Sequence, residues 1–444
     1  MSALARLLHQ QGHTVSGSDR SPSDVTRELE HRGMPVYYDH DPDHFVQAPD
    51  VLVHSAAIAQ DNPERCYAQE RGVQTLKYAQ LLGQLSKSVP TYAIAGTHGK
   101  STSSAWLAWT LQQAGRKPGY VIGAQVDQLG GSSDAGAGQE LVVEACEYDR
   151  SFLNLRPKAA AILNIEADHL DYYRDLEEIV SAFAQFAGNL GPTDYLIAPA
   201  GPGIVDRALA DCSAQAERYG LHDRAHWQAG NLRIVEGRGA YELIYNEQSV
   251  GQVHLQLSGR HNVENSLAVA ALAHRAGLPA ETICRGLESF QGVSRRMTFK
   301  AAINGITVLD DYAHHPTEIR STLAAIAGTY APRRLWCVFQ PHQHSRTRFL
   351  LDDFALSFAQ ADVICLLDIY FVRDSQNAVE EVTADTLAQR IRANGGDCRY
   401  LGSFERILAE LLDQCQEGDL VVTMGAGDIW KVADEFIRRL GRDR

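Results

Sequence analysis

The run Tyr92-Ala-Ile-Ala-Gly-Thr-His-Gly-Lys-Ser-Thr102 sets a lysine and two hydroxyls immediately behind two glycines. An apolar strand, a tight glycine turn and a helix start, in that order, are where a protein holds a triphosphate. Backbone N–H groups of Gly96, Thr97, His98 and Gly99 and of the first helical turn point at the anion, Lys100 adds positive charge, and the hydroxyl of Ser101 or Thr102 can complete the shell of a Mg²⁺ ion. The usual phosphate loop carries a glycine six residues before its lysine; that position is Ile94, so this is a shortened variant. A purely structural corner would use Gly96 and Gly99 equally well, but it has no need of Gly-Lys-Ser-Thr at the helix start.

Four further polar clusters each follow an apolar run. Glu144-Ala-Cys-Glu-Tyr-Asp149 comes after a buried-looking strand, where a carboxylate would face the crevice in which open parallel sheets bind ligands, so Glu144 could hold Mg²⁺ beside the phosphates. The alternative is a solvated acidic turn. Asn164-Ile-Glu-Ala-Asp-His169 supplies oxygens and an imidazole for a second metal, or hydrogen bonds to a γ-phosphate, with His169 the candidate ligand. Asp310-Asp-Tyr-Ala-His-His-Pro-Thr-Glu318 places two aspartates, His314 and His315 ahead of a helix that Pro316 and Thr317 begin, far more polar chemistry than a cap requires. After the next strand, Phe339-Gln-Pro-His-Gln-His-Ser-Arg-Thr-Arg348 offers Arg346 or Arg348 as a carboxylate clamp, against the plainer reading of a solvated basic helix start.

The elements that must position these residues alternate between Val/Ile/Leu-rich strands and longer helical stretches, the pattern of α/β parallel sheets covered by helices. At 444 residues, with 45% hydrophobic and 22% charged residues, the chain is expected to form three domains. Residues 1–88 open with a helix from Ser2 to Gln11, a short strand ending at Ser16-Gly-Ser-Asp19, and the strand Val51-Leu-Val-His-Ser55 followed by Ala56-Ala-Ile58; Ser86-Lys-Ser-Val-Pro90 reads as a linker. Residues 89–294 carry the phosphate loop, strands at Leu141–Glu144 and Ala159–Asn164, a Gly/Ser/Asp surface loop from Gly130 to Gly138, and a small antiparallel sheet between Trp227 and Leu257. Residues 295–444 show strands at Ile306–Leu309, Leu335–Phe339, Val363–Leu367 and Leu420–Thr423. The N-terminal segment looks like a Rossmann-type unit whose chain opens inside its first helix, so either an incomplete version lacking the first strand and glycine loop or a late-assigned start codon is expected. Eight scattered cysteines without a Cys-x-x-Cys pair indicate neither a disulfide framework nor a cysteine zinc site. A net charge of −14 argues against nucleic-acid partners, and the lack of a long apolar run or signal layout against membrane insertion, so a cytoplasmic chain is expected.

Taken together and in order, Gly96–Thr102, Glu144, Asn164–His169, Gly259-Arg-His-Asn-Val-Glu-Asn265, Arg295-Arg296, Asp310–Glu318 and Met424-Gly-Ala-Gly-Asp428 resemble the signatures of the Mur ligases over essentially the whole chain. The resemblance implies an ATP- and Mg²⁺-dependent amide ligase with an N-terminal domain for a UDP-sugar, a central domain for ATP and a C-terminal domain for the amino acid. It is strongest for the ligation of L-alanine to UDP-N-acetylmuramate in peptidoglycan precursor synthesis, by a monomer or homodimer. By similarity, Lys100 contacts the β- and γ-phosphates, Ser101 or Thr102 and Glu144 bind one Mg²⁺, and His169 the second. Asn262 and Asn265 look like adenine contacts, Arg296 like a phosphate contact, and Asp310 like a ribose or catalytic-domain contact. Ser18, Asp19 and His54, Ser55 and Ala56 resemble parts of the UDP pocket, and His315, His342 and Arg346 lie toward the amino-acid and sugar-carboxylate side. His169, His314 and His315 are open alternatives for the proton acceptor. Gln343 stands where many relatives carry a basic residue. Two rival expectations are a ligase joining the same sugar nucleotide to a preformed tripeptide, and a catalytically impaired binding protein that lacks the glycine cradle for the UDP diphosphate.

Overall fold

Three adjoining parallel strands dictate where everything functional must lie. In the computed structural model, which describes residues 1–45, 47–221, 224–372, 374 and 381–441, strand Thr91–Ala95 is flanked by Leu141–Glu144 on one side and Ala159–Ile162 on the other. All five residues of Thr91–Ala95 are buried, as expected of a strand covered on both faces. Alternation along it sorts two cores. Tyr92 and Ile94 face the cluster built on Trp106, Leu107, Leu267 and Leu272, while Ala93 and Ala95 face the one built on Phe152, Phe183 and Phe186. Because the three strands run parallel and pair Ile94 with Glu144 and Ala95 with Ile162, their carboxyl ends are level.

These strands belong to a ten-stranded sheet. The expected antiparallel strands, Trp227–Val235, Arg238–Tyr245 and Gln248–Ser258, extend that sheet, joined to Gln215–Gly220 by the parallel pairs Tyr219↔Trp227 and Gly220↔Gln228. At the far edge lies Ser133–Asp134, inside the stretch read from sequence as a surface loop. The serines of that stretch are docking groups: Arg6, 4% exposed on the helix Ser2–Gln10, donates to Ser133 Oγ at 3.1 Å and to Ser132 Oγ, and pairs with Glu28 at 2.9 Å.

The N-terminal unit carries two separate parallel pairs, Gly17–Ser18 with Val36–Tyr37 and Val51–His54 with Gln74–Lys77, rather than one continuous sheet. The Ser86–Pro90 linker is shorter than expected. Ser86 to Ser88 complete the helix Tyr78–Ser88, and buried Ser86 donates to Gly83 O at 2.7 Å and accepts from Arg156 N at 3.0 Å, which ties the segment to the central sheet.

The C-terminal unit is a six-stranded sheet in the order Thr298–Ile303, Ile306–Asp311, Leu420–Met424, Leu335–Phe339, Val363–Leu367 and Cys398–Gly402, antiparallel only at its first pair. The loops after Asp311, Phe339 and Met424 therefore share one end of the sheet. Among the described residues no helix is long and apolar enough to cross a membrane.

Candidate active site

Gly96 to Gly99 form the turn between strand Thr91–Ala95 and the helix Lys100–Gln113. Gly99 has φ +83°, and a β-carbon there would lie 2.9 Å from Asn265 Oδ1 and 3.1 Å from Leu163 Cδ1. Asn164 clamps the turn from the neighbouring strand end, accepting the His98 N–H at 2.7 Å and donating to His98 O at 3.1 Å. Asn265 thus packs beneath the loop, while Asn262 donates to Ser258 O at 2.7 Å at the start of the helix Arg260–Arg275. Gly99→Ala combines left-handed strain with that close approach, so we expect triphosphate affinity to fall by about tenfold or more with the fold retained, read by calorimetric titration.

Lys100 is fully engaged. Its ammonium donates to Gly96 O at 2.6 Å, Thr97 O at 3.0 Å and Glu147 Oε1 at 2.9 Å. Burial works against its charge, but Glu147, with help from Cys146 and Glu144, outweighs that and raises the lysine pKa. Glu147 was not singled out from the sequence. It is 3% exposed, its Oε1 lies 3.7 Å from His169 Nε2, and among the described residues its Oε2 and the buried His169 Nδ1 have no hydrogen-bond partner. Glu144 sits at the end of its strand and accepts the Gly123 N–H at 2.6 Å. Two carboxylates, an imidazole and the loop hydroxyls of Ser101 and Thr102, with buried polar atoms left over, form a donor set suited to a hard divalent cation.

The C-terminal unit closes over this end of the sheet. Glu318, in the first turn of the helix Pro316–Tyr330, lies 3.4 Å from His98 Nδ1, 3.1 Å from Arg296 Nη1 and 3.3 Å from His314 Nδ1, and accepts the His314 N–H. Burial disfavours its charge, but His314, Arg296 and His98 hold it well below the usual carboxylate range. Glu166, 3.5 Å from His98 Nε2, accepts from Thr317 Oγ1 at 2.6 Å; burial again opposes the charge, yet His98 and Thr317 bring its pKa down to about 2.

His98 is thus held between two carboxylates from different units, and they outweigh its burial to push its pKa up to about 9. His98, Glu166 and His315 also gather potential ligand atoms within 4.8 Å of one another. Both nitrogens of His315 are committed, Nδ1 accepting from Thr317 N at 3.3 Å and Nε2 lying 3.2 Å from Ala167 O, so this cluster works as a protonated latch rather than a metal site. The folded value lies above the ordinary 6.5, so the latch's contribution is complete below that pH and is lost as pH rises through about 9. We expect unfolding midpoints of the wild type to fall between pH 7 and 10 by more than those of His98→Asn, in paired denaturation series.

A buried ion pair makes the second link between units. Arg346 and Asp168, 6% and 7% exposed, meet through Nε and Nη2 on Oδ1, both at 2.9 Å, and Nη1 donates to His342 O at 3.1 Å. Arg346, read from sequence as a substrate clamp, is here engaged by the central unit. Asp310 is also internal, accepting from Arg295 Nε at 2.9 Å and from Thr423 Oγ1 at 2.8 Å. Arg295 further donates to Gly425 O and Gly427 O, tying that glycine turn to the start of the C-terminal unit. Asp311 accepts the N–H groups of Met297 and Ala313, yet burial outweighs these and nearby Arg296, raising its pKa to about 6. His314 Nδ1 lies 3.0 Å from Tyr312 O, and burial lowers its pKa to about 4 despite Glu318, leaving a neutral imidazole.

In the N-terminal unit, Ser18 donates to Glu64 Oε2 at 2.7 Å and sits 3.2 Å from His40 Nδ1, Asp19 is exposed, and His54 ends the strand Val51–His54, with Ser55 and Ala56 just after it. The structure brings the motifs of the central and C-terminal units together at one place, with these N-terminal residues on separate strand ends. The sequence singles out neither Glu147 nor Glu318, and it offers Glu166 and Asp168 as metal or phosphate ligands beside His169, whereas here Glu166 meets Thr317 and His98 and Asp168 meets Arg346. The available signal was a surplus of carboxylates per motif.

Family models described as "Mur ligase family, catalytic domain", "Mur ligase middle domain" and "Mur ligase, glutamate ligase domain" match residues 1–89, 94–273 and 295–427. A UDP-N-acetylmuramate–L-alanine ligase of Acetivibrio thermocellus is 40% identical over 442 residues, covering 99% of this chain and 93% of the relative; that of Alkaliphilus metalliredigens is 37% identical over 98% and 94%. The crystal structure of UDP-N-acetylmuramate-alanine ligase from Thermotoga maritima superimposes with a TM-score of 0.82 at 24% identity, covering 100% and 97% of the two chains. A murein peptide ligase from Psychrobacter arcticus does so with 0.76 at 28%, covering 100% and 96%.

Proposed function

This chain belongs to the Mur ligase family, and from that premise we propose that it joins L-alanine to the lactyl carboxylate of UDP-N-acetylmuramate, with ATP converted to ADP and phosphate. The observation that carries the reading is 40% identity to a curated alanine ligase across 99% of the chain, together with the meeting of the phosphate loop, Glu144, His169 and the His314 loop at one end of two sheets. Peptidoglycan precursor synthesis in the cytoplasm is the process this implies.

A carboxylate is a poor electrophile. Transfer of the γ-phosphoryl group to it gives an acyl phosphate, which the amine of alanine attacks through a tetrahedral intermediate that expels phosphate. The protein's share is positioning and charge neutralisation. Gly96 to Gly99 and the N-terminus of the helix Lys100–Gln113 present N–H groups to the phosphates, and Lys100 supplies the cation once it leaves its resting partners. Mg²⁺ would be held by Ser101 or Thr102 with Glu144, and by His169, and when bound it screens the charge on the transferring oxygens. Asn262 and Asn265 flank the adenine side, Asp310 holds Arg295, and Arg296, anchored by Glu318, faces the phosphates.

Alanine must lose a proton to attack. His315 has both nitrogens committed, whereas His314 is neutral with Nδ1 directed at Tyr312 O, leaving Nε2 to accept that proton. The links through His98, Glu318, Asp168 and Arg346 bring the two units together and keep water from the acyl phosphate. Ser18, Asp19, His54, Ser55 and Ala56 take the UDP portion, while His315, His342 and Arg346 border the side that receives the amino acid.

The test is phosphate release from ATP and Mg²⁺ with UDP-N-acetylmuramate, with and without L-alanine. Release that requires both supports the reading. Release driven by a preformed tripeptide in place of alanine would transfer the assignment to a peptide-recycling ligase, and none from a nucleotide-binding protein would sink both.

A further inference from the structure

The engagement of Lys100 raises a question that the ligase reading does not answer. An ammonium has three protons, and here Gly96 O, Thr97 O and Glu147 Oε1 take all three. No donor remains for a phosphate, so the lysine must surrender at least one partner when a triphosphate arrives. The two carbonyls belong to the loop that wraps the phosphates. Glu147 lies in the turn three residues past the end of the strand Leu141–Glu144, and its backbone carbonyl is fixed by Tyr173 Oη at 2.6 Å, so it stays where it is.

Once Lys100 turns away, Glu147 becomes a buried anion without its cation, with Oε2 already lacking a partner among the described residues. Such a group is strongly disfavoured unless another positive charge replaces the first. His169 Nε2 stands 3.7 Å from Glu147 Oε1, and the other nitrogen of that ring is also buried with no partner among the described residues. A carboxylate and an imidazole this close, both with spare polar atoms, are chemically suited to share a divalent cation.

Resting on the ligase reading, we infer that Glu147 is an exchange carboxylate: it holds Lys100 while no nucleotide is bound, and holds a divalent cation jointly with His169 after the triphosphate has taken the lysine. Lys100 and that cation compete for one carboxylate. Nucleotide and second cation therefore bind with positive coupling, each raising the affinity of the other by the same factor. A role confined to anchoring Lys100 predicts that Glu147→Gln leaves this coupling as strong as in wild type.

Mn²⁺ is the probe, counted by electron paramagnetic resonance with and without a non-hydrolysable β,γ-imido ATP analogue, alongside calorimetric titration of the metal-free analogue in chelator. Wild type should bind two Mn²⁺ per chain with the analogue and lack the second site without it. Glu147→Gln should bind one Mn²⁺ with the analogue, and should take up the metal-free analogue about tenfold more tightly, because the lysine is no longer tethered. Lys100→Ala should show the opposite signature, with Mn²⁺ at Glu147 and His169 in the absence of nucleotide. Two Mn²⁺ of wild-type affinity in folded Glu147→Gln, or weaker metal-free binding there, would overturn the inference. Should that variant fail to fold, Lys100→Ala decides alone: no nucleotide-independent Mn²⁺ would overturn it equally. Failure of wild type to bind the analogue at all would instead remove the ligase reading, an outcome distinct from the loss of one cation.

Discussion

Lys100→Ala is expected to reduce phosphate release by at least about a thousandfold while leaving UDP-N-acetylmuramate binding close to wild type. The activity loss follows from removing the one lysine of the phosphate loop, because phosphoryl transfer spreads charge over oxygens that a fixed cation stabilises. The substitution should also destabilise the fold, since Glu147, 3% exposed, would lose its charged partner. Breaking a buried pair from one side costs about 3–5 kcal/mol. The double variant Lys100→Ala/Glu147→Gln removes both charges and is expected to regain most of that stability without regaining activity. Thermal unfolding and phosphate release measured on the same three proteins check both halves. A double variant no more stable than the single one would mean that the Lys100–Glu147 pair does not carry the stability assigned to it.

Arg346→Ala should have the second largest effect, through separation of the two units. It leaves Asp168 buried at the interface, where its charge is now favoured by Arg346 against burial, with smaller help from His169, His314 and His315. Losing Arg346 is expected to cost about 3–5 kcal/mol. It should also lower kcat by about a hundredfold, because the His314 loop and the phosphate loop are no longer held in register. Small-angle scattering should report a more open molecule, and denaturation should resolve into two steps as the C-terminal unit uncouples. Arg346→Lys is expected to rescue poorly, since one ammonium cannot reproduce the paired Nε and Nη2 contacts. An unchanged scattering profile with lost activity would place Arg346 on the substrate instead.

That alternative shows where sequence reading stops. Arg346 was legible as a cation beside a strand end, and a clamp for a carboxylate was a sound chemical expectation. The carboxylate it meets is Asp168, 178 residues away, in the loop that follows the strand Ala159–Ile162 of a different sheet. No local pattern reports that contact. Glu147 illustrates the same limit at short range. From sequence it was one of two glutamates in Glu144–Asp149, and Glu144 was preferred because it ends the strand. Past the strand end, Asp149 and Arg150 take φ of +52° and +51°, and this turn accompanies the inward placement of Glu147 against Lys100. Glu318 was read as part of a helix start, but its position beneath His98 and Arg296 depends on how the C-terminal unit docks.

The alternating strands and helices, the phosphate loop with its lysine and hydroxyls, and the order of the polar clusters were determined by sequence alone. Each rests on local physics: short apolar runs that a sheet covered on both faces buries, glycine at a positive φ, and a helix N-terminus aimed at an anion. Only the tertiary structure decided that Leu141–Glu144 and Ala159–Ile162 flank Thr91–Ala95, that the N-terminal strands form two separate pairs, and which carboxylate answers each cation. Strand order and domain docking are set by burial summed over distant segments. Charge pairing in a water-poor site depends on distances that no spacing along the chain encodes.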